Sequence, residues 1–136
     1  MESFQLGQLT KELVAAKLRA IDDPCAVAAE IVQATIKVAF ASLADDTQAQ
    51  ATVIEDACRG GMTGLLLAEQ DVSRGAVLHL RKVAEAAAAC HMDPTEAMMA
   101  AALGIADLKR FLLPDRLEKL RAAVDAEFMG SGDCMR

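Results

Sequence analysis

A run of small residues places the strongest constraint on the fold of this chain. Residues 53–68 read Val-Ile-Glu-Asp-Ala-Cys-Arg-Gly-Gly-Met-Thr-Gly-Leu-Leu-Leu-Ala. A helix here would align Ala57, Gly61, Gly64 and Ala68, at steps of four, three and four residues. We call these four residues the small-residue face. Each helical glycine costs about 0.8–1 kcal/mol relative to alanine, so the three glycines of this run require a neighbour that offsets their cost.

The composition predicts that the whole chain is helical. Alanine accounts for 28 of the 136 residues, and the chain has no Trp and no Tyr. Alanine is the strongest helix former, and no sustained alternation of apolar and polar residues indicates a strand. We therefore predict an all-α fold, a single compact bundle of five to six helices over 1–130 with a flexible tail at 131–136.

Aspartate and proline mark where the helices begin. An Asp cap followed by Pro stands at 23–24 and again at 93–94, and further Asp residues stand at 45–46 and 71. Thr47 with Gln50 predicts a capping box. The helices are expected at about 3–21, 24–44, 47–70, 71–92, 93–112 and 114–129, joined by short Asp-Pro or Asp-Asp connections. The third is either continuous, or kinked or split near Gly60 and Gly61.

The charge is negative and unevenly distributed. The net charge is −6; residues 1–70 carry 5 basic and 10 acidic side chains, and residues 71–136 carry 9 and 10. This balance argues against a nucleic-acid partner, which requires concentrated Lys and Arg. Arg74, Arg81 and Lys82 share one side of the fourth helix. They form either an ordinary solvated surface or a docking surface for an acidic partner helix, such as the acidic half of a second copy.

Membrane insertion and export are not expected. The longest uncharged run, Ala97–Ala106, has ten residues, whereas a membrane span needs about 20. The N-terminus lacks the basic and apolar regions of a signal peptide. The four cysteines are far apart and form no CxxC pair, which indicates buried thiols in a reducing cytoplasm. The alanine content suggests a bacterial source.

No metal or cofactor is expected from the sequence. A di-iron bundle needs Glu-x-x-His motifs, but alanine stands three residues before both His79 and His91. His79 and Cys90 are roughly 16 Å apart along a straight helix, so they cannot bind the same metal ion.

The first functional hypothesis is a non-enzymatic interaction protein, most simply a homo-oligomer with a dimer favoured. The small-residue face would receive a partner helix, and Leu65, Leu66 and Leu67 would supply apolar area beside it. Three consecutive leucines span about 200° of a helix, so at least one faces away from a single neighbour. The competing interpretation is that another helix of the same chain fills the small-residue face.

Two further hypotheses remain open. A small-molecule sensor or carrier would enclose an apolar cavity, with His79 or Thr63 as its polar contact. A cysteine enzyme would use Cys58 if the helix restarts at Gly60, because free backbone N–H groups and Arg59 would lower the pKa of the thiol.

Overall fold

The chain folds into an all-α bundle, as predicted. The computed structural model describes residues 10–12, 23–43 and 46–127, and within these ranges it contains no strand. Residues 10–12 are helical. The other elements are α1 (Pro24–Phe40), α2 (Thr47–Leu67), α3 (Val72–Ala89), α4 (Pro94–Ala106), a 3-10 helix (Asp107–Phe111) and α5 (Pro114–Glu127).

Aspartate caps the first four of these α-helices, which confirms the caps predicted at Asp23 and Asp93. In each case the carboxylate accepts a hydrogen bond from a backbone N–H of the first turn, which satisfies a donor that the helix itself leaves free. The caps are Asp23 on α1, Asp46 on α2, Asp71 on α3 and Asp93 on α4.

The capping box predicted at Thr47 and Gln50 is wrong. Asp46 occupies the N-cap position and accepts from the N–H of Ala49 at 3.0 Å. The side-chain amide of Gln50 donates to the carbonyl of Leu43 at 2.7 Å, so it ties the preceding turn to α2.

Three helices end earlier than predicted, with α1 ending at Phe40, α2 at Leu67 and α3 at Ala89. A residue in a left-handed conformation follows α2, and another follows α3. These residues are Glu69 after α2 (φ 58°) and His91 after α3 (φ 59°). The N–H of Gln70 donates to the carbonyl of Leu65 at 2.9 Å, and the bonds after α3 follow the same pattern. This is the Schellman arrangement, in which glycine is the usual residue. Neither of these two helix ends carries a glycine, and for this reason the sequence predicted that both helices continue further.

The helices pack around one continuous apolar core. α1 packs against α2 and α3, α4 packs against the same two helices, and α5 packs against α3. α2 is continuous through Gly60 and Gly61, so of the alternatives left open by the sequence the helix is not split there. The largest fully buried apolar side chains are Ile36, Ile54, Met62, Leu65, Leu80, Ile105, Leu108 and Leu120.

Two predicted segments fall mostly or wholly outside the described residues. The helix expected at 3–21 is described only at 10–12, and the tail expected at 131–136 is not described.

Candidate interaction surfaces

The small-residue face of α2 lies inside the bundle. Ala57, Gly61 and Gly64 are buried, and Ala68 is half-buried. A Cβ atom at Gly61 would lie 2.7 Å from Cγ2 of Val32 on α1 and closer than 3.0 Å to Nε2 of His79 on α3. The neighbours that fill this face are therefore helices of the same chain. This corrects the expectation that a second molecule would bind at these residues.

The three leucines beside this face have three different environments. Leu65 is fully buried, Leu66 is partly buried against the core, and Leu67 is 61% exposed. A Cβ atom at Gly75 of α3 would lie closer than 3.0 Å to Cδ1 of Leu65, so α3 approaches α2 closely here as well. Of this trio, Leu67 presents the most apolar surface to solvent.

A second close contact, at Gly104 of α4, was not singled out from the sequence. A Cβ atom there would lie closer than 3.0 Å to the carbonyl oxygen of Glu55 and 3.1 Å from the backbone N of Arg59. The backbones of α4 and α2 therefore touch at this point. The available signal was a lone glycine within the longest uncharged run of the chain.

Arg59 fastens the 3-10 helix to α2. Its guanidinium lies 2.7 Å from a carboxylate oxygen of Glu55, 2.6 Å from one of Asp56 and 3.2 Å from one of Asp107. The first two carboxylates lie on the same helix as Arg59, and the third begins the 3-10 helix. The guanidinium of Arg59 is thus engaged by carboxylates. Its ion pair with Asp107 holds the start of the 3-10 helix against α2.

Cys58 lacks the environment of a nucleophile. Its side chain is fully buried within the continuous α2, and burial raises the pKa of the thiol to about 12. No helix restarts at Gly60, so no free backbone N–H groups gather near the sulfur. The predicted activation of Cys58 is therefore wrong, because a thiol in this environment stays protonated at neutral pH.

His79 is a neutral, buried side chain. Its Nδ1 lies 2.7 Å from the carbonyl oxygen of Gly75, so Nδ1 carries the proton and donates it. Its Nε2 is buried without a hydrogen-bond partner and faces Gly61. Burial lowers the pKa of the imidazole to about 4. The contact with Gly61 leaves no room for a ligand between the two residues.

The second predicted ligand contact is also engaged within the chain. The hydroxyl of Thr63 donates to the carbonyl of Arg59 at 2.7 Å. A surface cleft of about 240 Å³ lies elsewhere and includes neither His79 nor Thr63. The cleft is lined by Lys37, Phe40, Ala41, Gln50 and Cys90.

The three predicted docking cations have carboxylate partners within the chain. Arg74 pairs with Asp23 at 2.8 Å and Arg81 pairs with Glu127 at 2.8 Å. Lys82 lies 3.6 Å from Glu85. These contacts tie α3 to the start of α1 and to the end of α5, so Arg74, Arg81 and Lys82 do not form a free basic surface.

The described residues contain neither a candidate metal site nor a candidate membrane-spanning helix. The described part of the chain holds no group of three or more His, Cys, Asp or Glu side chains that could bind a metal ion. None of its helices is long and apolar enough to cross a membrane.

Exposed apolar side chains are concentrated after residue 98. Of the six large hydrophobic side chains exposed in the described residues, Val38 and Leu67 lie apart, and four fall within 99–113. Met99 (52% exposed) and Leu103 (49%) are one turn apart on α4, and Phe111 (60%) and Leu113 (71%) follow it.

The part of α4 that carries Met99 and Leu103 is unusual for a helix that reaches the protein surface. No charged residue occurs in Ala97–Ala106. Solvated faces of helices normally carry charged or polar side chains, and a helix that is apolar on every side is normally buried. We call the exposed strip of Met99 and Leu103 the outer face of α4.

Comparison with known proteins gives no relative: no protein family, curated protein or solved structure matches this chain.

Proposed function

We propose that this protein is a non-enzymatic interaction protein that forms a homodimer through the outer face of α4. The observation that carries the proposal is an uncharged helix whose Met99 and Leu103 are about half exposed. Removing apolar surface from water stabilises association by about 25 cal/mol per Å² before entropy losses. A partner on this face would bury the surface that the bundle leaves open.

A second copy of the chain fits the outer face of α4 well. In a two-fold dimer the same patch meets itself, and an uncharged patch does so without opposing like charges. Met99 can adjust its flexible thioether to the partner.

The interaction function is better supported than the carrier or the enzyme. The side chains proposed as ligand contacts, His79 and Thr63, are occupied by backbone groups of their own helices. Cys58 is buried and has a raised pKa. We also keep the cytoplasm as the proposed location, because its reducing conditions suit the free thiols of Cys25, Cys58 and Cys90.

The solution mass tests the proposal directly. Light scattering of the wild-type protein should give twice the chain mass of 14.4 kDa. The double variant Met99→Glu/Leu103→Glu should give a single chain mass, because two carboxylates of each copy would oppose those of the other. Circular dichroism should show the same helical content and cooperative thermal unfolding, at a temperature lowered by the loss of the dimer.

The matched control places a carboxylate at Val38, which is 74% exposed on α1. Val38→Glu should leave the dimer intact. A monomeric wild type would contradict the proposed dimer, as would a dimer that survives both substitutions on α4.

A further inference from the structure

We propose that the turn between the 3-10 helix and α5 docks on an anionic lipid surface. Together with the residues that flank it in the two helices, this turn forms a segment that we call the basic turn; its residues are Lys109, Arg110, Phe111, Leu113 and Arg116. This inference uses a surface separate from the outer face of α4 and does not depend on dimer formation.

The tip of the basic turn is apolar. Phe111 ends the 3-10 helix, and the backbone becomes extended at Leu112 before Pro114 starts α5. Phe111 is 60% exposed and Leu113 is 71% exposed. Helix-connecting turns are normally polar because they face water, so two such side chains in one short turn are costly unless they enter an apolar medium.

Cations flank the apolar tip and are available for anions. Within the described residues, neither Lys109 nor Arg116 forms an ion pair, and both are exposed. Arg110 lies over the Phe111 ring at 6.0 Å from the centroid and pairs with Asp107 at 2.8 Å. An exposed aromatic side chain beside unpaired cations matches the interface of a bilayer that carries anionic headgroups.

The distribution of charge would orient the molecule on such a surface. Residues 107–121 hold five basic and three acidic side chains, a net charge of +2, whereas the whole chain has −6. The remainder therefore carries −8. A negative surface would attract the segment that bears the basic turn and repel the rest of the molecule, so that Phe111 and Leu113 would approach it first.

A lipid surface fits the basic turn better than an acidic polypeptide does. Phe111 and Leu113 project from a turn, and most of the surface of each is exposed. Burying both in a protein partner would require a matching pocket on that partner. A bilayer accepts projecting apolar side chains without a preformed pocket, and its headgroups supply anions around them.

Vesicle flotation tests the inference. The wild-type protein should float with vesicles of equal parts phosphatidylcholine and phosphatidylglycerol, and should not float with phosphatidylcholine alone. Added salt should weaken binding. Lys109→Gln/Arg116→Gln should bind about 30-fold more weakly, from about 1 kcal/mol per cation. Phe111→Ser/Leu113→Ser should bind at least about tenfold more weakly.

Leu67→Ser is the matched control, since Leu67 is 61% exposed without belonging to the basic turn. It should bind like wild type, and all variants should keep the wild-type thermal unfolding. Lack of wild-type binding would overturn the inference, as would equal loss in the control. Binding to soluble polyglutamate as tight as to vesicles, and unaffected by Phe111→Ser/Leu113→Ser, would also overturn it and identify an acidic polypeptide as the partner.

Discussion

The small-residue face of α2 and the outer face of α4 both need a neighbouring element to cover them, but only the first is covered within the described structure. On α2, glycines and alanines leave a shallow surface, and α1 and α3 fill it down to the contact of His79 with Gly61. On α4, an uncharged strip leaves Met99 and Leu103 about half exposed, and no described element covers them. Both patterns indicate a missing neighbour, but only the three-dimensional structure shows whether the chain itself supplies it.

The largest effect is expected where backbone meets backbone. Gly104→Ala should lower the free energy of unfolding by about 3 kcal/mol, because the new Cβ would collide with the carbonyl of Glu55, which cannot rotate away. In an open helix the same change would stabilise by about 1 kcal/mol. Urea unfolding measures the difference. A stabilised variant would show that α4 and α2 are farther apart than described.

Acid should lower the free energy of unfolding through His79, which packs against the small-residue face of α2. The folded pKa is about 4 against an ordinary value of 6.5, so the unfolded chain binds more protons between these values. The stability that the neutral His79 side chain contributes is fully present above pH 6.5. It is lost as the pH falls towards 4, by about 3 kcal/mol at most. Urea unfolding at several pH values measures it. His79→Gln should remove this part of the pH dependence, and an unchanged profile would contradict the assignment.

A smaller loss is expected where glycine meets side chains. Gly61→Ala should destabilise by about 2 kcal/mol, because the imidazole of His79 and the methyl group of Val32 can shift by part of the overlap. Combining it with His79→Ala should give a loss smaller than the sum of the two single losses. Additive losses would mean that His79 does not press on Gly61.

The smallest effect on folding is expected at the open face. Leu103→Ser should lower the free energy of unfolding of the dissociated chain by about 1 kcal/mol, since only about half of the Leu103 side chain is buried. The substitution should nevertheless raise the dimer dissociation constant. Urea unfolding and light scattering over a dilution series separate the two quantities. A large folding loss would place Leu103 in the core and remove the contrast with α2.

Local signals predicted the elements of this fold well. The aspartate caps of α1 and α4 and the buried sides of the helices follow from nearest-neighbour chemistry and from helical periodicity, both of which are written in short stretches of sequence. The helix ends at Glu69 and His91 were missed because glycine normally occupies such positions. The sequence left open whether the helix continues through Gly60 and Gly61; it does, because packing against α1 and α3 offsets the glycine cost.

The surfaces were harder to predict than the elements. The pairing of Arg74 with Asp23 and of Arg81 with Glu127 joins residues far apart in sequence, so no local pattern could reveal that these cations are compensated. Likewise, Gly61 and Gly104 look equivalent as helical glycines. Only the positions of the neighbouring helices show that one meets side chains and the other meets backbone.

Because Cys58 is buried, the reactivity of its thiol reports transient opening of the helix bundle. Fully enclosed and protonated, this thiol can be alkylated only during the brief moments when α2 separates from its neighbours, whereas the partly exposed Cys90 can react without such an opening. The ratio of the two labelling rates, resolved by peptide mass mapping, would therefore time the opening events of the native protein without any engineered probe.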